Sequence, residues 1–188
     1  LLDQILQIDT ELLIFLNNLG SEQWDSFWFI LTNQFSWSPL FAFLLFLIFK
    51  KFGWKNGFIM LLFLVVLITF SDQFTNLIKN TFERLRPCNT EAVIQQIRNF
   101  DYKPSSYSFY SGHAASSMTF SFFIILLLKP YYKYIWFLIF FPLIFGYSRI
   151  YLGVHYPLDI LSGYLAGLFF GYLFYFLQKQ LKLTSRFI

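Results

Sequence analysis

Charge is scarce in this sequence. Only 13% of its 188 residues are Asp, Glu, Lys or Arg, histidine occurs twice, and cysteine occurs once. A chain so poor in charge lies outside the usual make-up of a soluble domain. The single Cys88 excludes an internal disulfide and a thiolate metal centre. The opening LLDQILQIDTELL has acids and no basic residue ahead of its apolar stretch, which is not the pattern of a cleaved secretory signal. Internal repeats and low-complexity linkers are also missing. What is abundant is hydrophobic surface: 57% of residues are hydrophobic, 24% are aromatic, and 28 are phenylalanine. That is the composition of an integral membrane protein. Each crossing takes roughly 20 apolar residues, so the length suits one unit and no more. The expectation is a single all-α domain over residues 1–188, a polytopic membrane helix bundle of five to six transmembrane helices with an amphipathic N-terminal helix.

Residues 1–20 place Ile5, Ile8, Leu12, Leu16 and Leu19 at helical spacing, opposite Asp3, Glu11 and Asn18, the pattern of an interfacial helix. Residues 24–50 are apolar but interrupted by NQFSWSP, so they form either one kinked span or a short half-inserted helix followed by a span from Trp37. Further spans are expected over 57–82, 111–128, 134–150 and 156–177. The only long loop, 87–110, is polar, contains KPSSYS, and has a length that is more often functional than accidental.

Basic residues set the orientation. Lys50, Lys51 and Lys55 share one turn, Lys129 and Lys133 another on the same side, and Lys179, Lys182 and Arg186 lie at the C-terminus, with no acid in those segments. Asp3, Asp9, Glu11, Glu22, Asp25, Glu91 and Asp101 fall on the opposite face, which is expected to be extracytoplasmic.

Four span ends converge on that face, and each carries polar chemistry. In KNTFERLRP, Lys79 and Arg86 stand two helical turns apart and point the same way before Pro87 closes the helix. In YSGHAASS, Ser111 is the candidate N-cap and leaves the amides of Gly112 and His113 free for an anionic oxygen. In SRIYLGVHYPLD, Arg149 ends one span, while Pro157 suits a first helical turn and His155 and Asp159 share a stripe. Lys79, Arg86, Arg149 and a helix N-terminus make a phosphate cradle, for which the planar fork of arginine is well matched. Binding alone would not need imidazoles, yet both histidines of the chain belong to this cluster. Asp159 would fix the tautomer of His155 and leave its other ring nitrogen to attack phosphorus. His113 would protonate the departing oxygen, and the cations would stabilise the equatorial oxygens without a metal. A cation held by His155 and Asp159 is disfavoured by the surrounding Lys and Arg charges.

These three segments resemble the signatures of the type 2 phosphatidic acid phosphatase family: Lys, six residues, Arg-Pro; Pro-Ser-Gly-His; and Ser-Arg, five residues, His, three residues, Asp. The motif-bearing core covers residues 57–177, and Tyr110 stands where the family has proline. The resemblance implies phosphate binding by Lys79, Arg86, Ser111, Gly112 and Arg149. It also implies a phosphohistidine on His155 assisted by Asp159, with His113 as general acid, and neither metal nor cofactor. It further implies a multi-pass protein of the bacterial cytoplasmic (inner) membrane, active at the periplasmic face. The partners expected are the bilayer and a lipid phosphate substrate, with no nucleic acid, and the oligomeric state is left open. Undecaprenyl diphosphate is the first substrate expected, with phosphatidylglycerol phosphate, phosphatidic acid and lipid A 1-phosphate as alternatives. An anionic-lipid transporter or flippase without hydrolysis is the rival from another class.

Several residues are open to more than one reading. Asp72, on the face of Lys79, either orients that lysine or hydrogen-bonds a neighbouring helix. Gly163, Gly167 and Gly171 continue the stripe of His155 and Asp159 and suit close helix packing, or a dimer contact. Tyr107, Phe109 and Tyr110 are interfacial anchors or line a lipid entrance. Arg98 and Lys103 are solvated surface or contacts to a second phosphate.

Overall fold

The structure is a computed structural model that describes residues 1–98 and 100–181. It is all-α among the described residues, with α1 (Leu2–Asn18), α2 (Glu22–Thr32), α3 (Ser38–Phe82), α4 (Glu91–Ile94), α5 (Gly112–Leu128), α6 (Phe140–Tyr151) and α7 (Pro157–Gln180). Short 3₁₀ turns over Gln34–Trp37 and Lys133–Ile139 lead into α3 and α6. Three helical stretches are long and apolar enough to cross a membrane, Gln34–Ile94, Lys133–Tyr151 and Pro157–Gln180, and Gly112–Leu128 is a shorter apolar helix. The chain is a polytopic membrane helix bundle.

The interrupted region resolves as a short helix, α2, followed by a span that begins at Ser38. Helix α3 is broken at Gly53, whose φ of 70° lies in the left-handed region that glycine enters without a side-chain penalty. A methyl group at Gly57 would lie 2.5 Å from the Phe49 ring, although eight residues of straight helix span about 12 Å. The chain therefore doubles back at Gly53, and its arms pack Leu44, Ile48, Met60 and Leu67 into one core with Phe123, Leu128 and Phe170. The Lys51 ammonium sits 3.9 Å over the Tyr131 ring, so the turn carrying Lys50 and Lys51 meets the one carrying Lys129 and Lys133. Lys182 and Arg186, which the sequence places with them, lie outside the described residues.

Helix α1 forms as expected, and its apolar stripe is the face turned away from the rest of the protein. Ile5, Ile8, Leu12 and Leu19 are exposed, whereas Asp9, Leu13 and Asn17 are buried. The physical reason is that the buried polar atoms all find partners: Asn17 Nδ2 donates to the Ile150 and Tyr151 carbonyls (3.2 and 2.7 Å), and its Oδ1 accepts from the Arg98 amide (2.7 Å). In a membrane, the apolar stripe of α1 faces lipid.

Helices α5 and α7 pack backbone to backbone. A methyl group at Gly163 would lie 2.7 Å from the Ser111 carbonyl oxygen, one at Gly167 2.7 Å from that of Ala115, and one at Gly171 3.0 Å from that of Thr119. The glycine stripe is a close-packing device within the chain. Its upper end ties the start of α5 to the start of α7, where the Ser111 amide donates to the Asp159 carbonyl (3.0 Å).

Candidate active site

The site lies where α3 ends and where α5 and α7 begin. Glu83 adopts φ 49° and caps α3 through its amide to the Lys79 carbonyl (2.9 Å), after which the chain runs extended to Arg86 and Pro87. Ser111 is the N-cap of α5, its hydroxyl accepting from the Ala114 amide (3.4 Å), and Pro157 opens α7. The starts of α5 and α7 agree with the sequence, but α3 does not run on to Pro87. The left-handed cap at Glu83 ends it at Phe82, so Arg86 is reached through non-helical chain rather than standing two helical turns above Lys79.

Asp159 is fully buried, and four donors meet its carboxylate. Oδ1 accepts from Arg84 Nη1 (2.7 Å), and Oδ2 from the Tyr156 amide (2.9 Å), the Ser108 hydroxyl and His155 Nδ1 (3.4 Å). Arg86 Nη1 lies 2.9 Å from His155 Nε2. A guanidinium only donates, so Nε2 is the unprotonated nitrogen and Nδ1–H faces Ser108 Oγ (3.3 Å) and Asp159. Burial, and then the charges of Arg86, Arg149 and Lys79, hold the His155 imidazole well below its ordinary pKa of 6.5. It is a neutral base with its free lone pair turned toward the cations.

Lys79, Arg86 and Arg149 are 7%, 4% and 2% exposed, and among the described residues none of the three has a carboxylate partner. Lys79 Nζ donates to the Tyr107 carbonyl (2.7 Å). Arg86 donates through Nε to the Ser106 carbonyl (2.6 Å) and through Nη2 to the Ser106 hydroxyl (2.9 Å). Arg149 donates to Thr32 Oγ1 (2.6 Å) and the Tyr102 hydroxyl (3.3 Å), and its buried Nε has no protein partner. Three buried cations without counter-charges call for an anionic ligand.

Lys79, Arg86, Gly112 and His113 line one cavity of about 250 Å³. His113 packs its ring 5.2 Å from that of Phe145. Ser111 is fully buried, and its hydroxyl oxygen accepts the helix-cap hydrogen bond while its O–H remains available as a donor. No group of three or more His, Cys, Asp and Glu side chains among the described residues is arranged to hold a metal ion.

The profile of the PAP2 superfamily matches residues 58–182. This chain belongs to that superfamily. It is a membrane lipid phosphatase, a hydrolase, and the flippase alternative falls away. The lipid A 4′-phosphatase of Bacteroides thetaiotaomicron is 34% identical over 182 residues, covering 95% of this PAP2 chain and 80% of its own. The lipid A 4′-phosphatase of Porphyromonas gingivalis is 27% identical over 176 residues, covering 93% and 74%. The undecaprenyl-diphosphatase of Sulfolobus acidocaldarius is 36% identical over 103 residues, covering 50% and 47%. A crystal structure of a transmembrane PAP2-type phosphatidylglycerolphosphate phosphatase from Bacillus subtilis superimposes with a TM-score of 0.75 at 19% identity, covering 98% of this chain and 90% of that one. That likeness speaks for the fold.

Some residues of this PAP2 site escape sequence reasoning. Arg84 bridges two acids, with Nη1 on Asp159 and Nη2 on Asp9 Oδ2, both at 2.7 Å, and Asp9 Oδ1 accepts from the Leu158 amide (2.8 Å). The N-terminal helix thus reaches the acid behind His155, which no motif signals across 150 residues of chain. Ser106, Tyr107 and Ser108 come from KPSSYS, so the polar loop anchors both Lys79 and Arg86 as well as Asp159. Its composition was the available signal. Two open readings gain a partner each. Arg98 is not merely solvated surface, since it pairs with Asp25 (2.7 Å). Asp72 hydrogen-bonds Asn76 (3.4 Å) and lines the cavity, while Lys79 is oriented by the Tyr107 carbonyl instead.

Proposed function

We propose that this chain cleaves a phosphomonoester from a lipid at the extracytoplasmic face of a bacterial membrane, through a phosphohistidine on His155. The observation that carries the reading is the set of three buried, uncompensated cations beside a neutral imidazole whose Nδ1 is held by Asp159 and Ser108. Lys79, Arg86 and Arg149 hold the phosphate oxygens, as do the amides at Gly112 and His113. When the phosphate takes over the Arg86 guanidinium, His155 Nε2 is released to attack phosphorus. The N–P bond forms as the lipid P–O bond breaks, and His113 supplies the proton to the lipid oxygen. Water then attacks the phosphohistidine, giving its proton to His113. Inorganic phosphate leaves and neutral His155 returns. The charge on the equatorial oxygens is met by fixed cations throughout.

For the lipid, the two lipid A 4′-phosphatases that align along nearly the whole chain favour a phosphate on an acylated sugar. Undecaprenyl diphosphate, first in the expectation from sequence, becomes the second reading, supported by a relative that covers half of the chain. The test is phosphate release by detergent-purified protein in EDTA, from lipid A, undecaprenyl diphosphate, phosphatidylglycerol phosphate and phosphatidic acid. His155→Ala is expected to lower kcat by roughly a thousandfold or more. Acid-labile, base-stable ³²P on the wild-type protein, absent in the variant, identifies the intermediate. Full activity in His155→Ala overturns the mechanism.

A further inference from the structure

Along α3 the residues facing the cavity form layers. Lys79, Asn76, Asp72 and Ile68 share one stripe at helical spacing. The upper cavity of about 250 Å³ includes Lys79, Asn76, Asp72 and Gln34, with His113 and Ser116 opposite on α5. A second cavity of about 360 Å³ includes Ile68, Phe41, Phe120 and Phe145, and it shares Gln34, Ser116 and Phe145 with the first. The two adjoin through these shared residues, and their linings grade from cations through amide and carboxylate groups to apolar walls. Asp72 lies about 10 Å along the helix from Lys79.

A ligand that fits these layers has a phosphate at one end, hydrogen-bond donors in the middle and hydrocarbon at the other end. We propose that Asp72, Asn76 and Gln34 form a headgroup subsite for the hydroxyl and amide groups of an acylated sugar whose phosphomonoester sits on Lys79 and Arg86. This rests on the lipid phosphatase reading above and names the chemical class of its substrate. A carboxylate accepts from hydroxyl and amide donors. Phosphatidic acid presents ester oxygens at this depth and offers Asp72 no donor. A polyprenyl diphosphate brings its second phosphate into the same layer, where the Asp72 charge repels it. The middle layer therefore selects as well as binds.

The experiment compares kcat/KM of wild type, Asp72→Leu, Asp72→Asn and Asn76→Leu on lipid A, phosphatidic acid and undecaprenyl diphosphate in mixed micelles, with thermal unfolding of each protein. Wild type is expected to prefer lipid A. Asp72→Leu is expected to cut the ratio of lipid A to phosphatidic acid hydrolysis at least about tenfold, mainly through KM, and to raise the share of diphosphate cleaved. Asp72→Asn, which preserves the shape and one acceptor, is expected to lie between. If wild type cleaves these lipids but the ratios stay unchanged in all three variants, the subsite is overturned and the phosphatase reading stands. Equal loss on every lipid also overturns it, since Asp72 would then serve the cradle alone. If folded wild type cleaves none of them, the phosphatase reading itself fails.

Discussion

At the residue scale, the decisive group is the imidazole of His155, 1% exposed and faced by Arg86, Arg149 and Lys79. Its nucleophilic form is the neutral one. Because burial and the cations depress its pKa below 6.5, His155 stays neutral as pH falls through 6.5 and is protonated only at lower pH. The acid limb of kcat/KM for the free enzyme is therefore expected well below pH 6.5. Lys79→Met removes one repelling charge and is expected to move that limb upward, on top of its large loss of activity. The substrate's own phosphate titration is common to both proteins, so the displacement between the two profiles is the reading. A wild-type limb at or above pH 6.5 that does not move in Lys79→Met overturns the assignment. The grouping of His155, Asp159, Lys79, Arg86 and Arg149 near span ends is legible in the sequence because motif spacing is local information. The positions of Ser108 and Arg84 are not, since they depend on where a loop of irregular backbone returns.

At the scale of elements, α1 and the segment that follows α3 act on the acid rather than on the ligand. Asp9 and Asp159 share Arg84, and the ring of Tyr156 lies 3.9 Å under the guanidinium. Arg84 thereby neutralises the acid behind His155 without touching the cavity cations. Asp9→Asn keeps the Leu158 hydrogen bond and the shape but removes one charge, so Arg84 is less firmly held and Asp159 is freer to shift. Small displacements of a catalytic group cost up to about a hundredfold in rate. Asp9→Asn is expected to lower kcat roughly tenfold with KM nearly constant, and Arg84→Met to lower it further, with Arg84→Lys restoring part of it. An unchanged kcat in both Asp9→Asn and Arg84→Met, in folded protein, would leave α1 with a packing role only. The sequence predicts α1 as an interfacial helix, but its apolar periodicity does not say which face meets the rest of the protein. In a bilayer the outside is apolar too, so hydrophobic pattern does not identify the inner side; the buried Asp9 and Asn17 do.

At the scale of the molecule, basic residues are divided in an instructive way. At the site end, Lys79, Arg86 and Arg149 are buried, and Arg84 and Arg98 are in ion pairs. Among the described residues this leaves Lys103 as the one exposed basic side chain there. The far end carries Lys50, Lys51, Lys55, Lys129, Lys133 and Lys179 with no acid between them in those turns. Free positive charge is retained on the cytoplasmic side during insertion, so the far end is expected inside and the site outside. The native Cys88 is buried, 4% exposed, which keeps the background low for thiol labelling. Lys103→Cys is expected to react with a membrane-impermeant maleimide in intact spheroplasts, and Lys51→Cys only after permeabilisation. Both substitutions are at exposed positions away from the cavity, so phosphate release serves as the control that the fold is intact. The reverse labelling pattern would place the cradle in the cytoplasm, where a lipid phosphate made on the inner leaflet would reach it before export. The observed pattern thus decides on which leaflet the substrate must carry its phosphate.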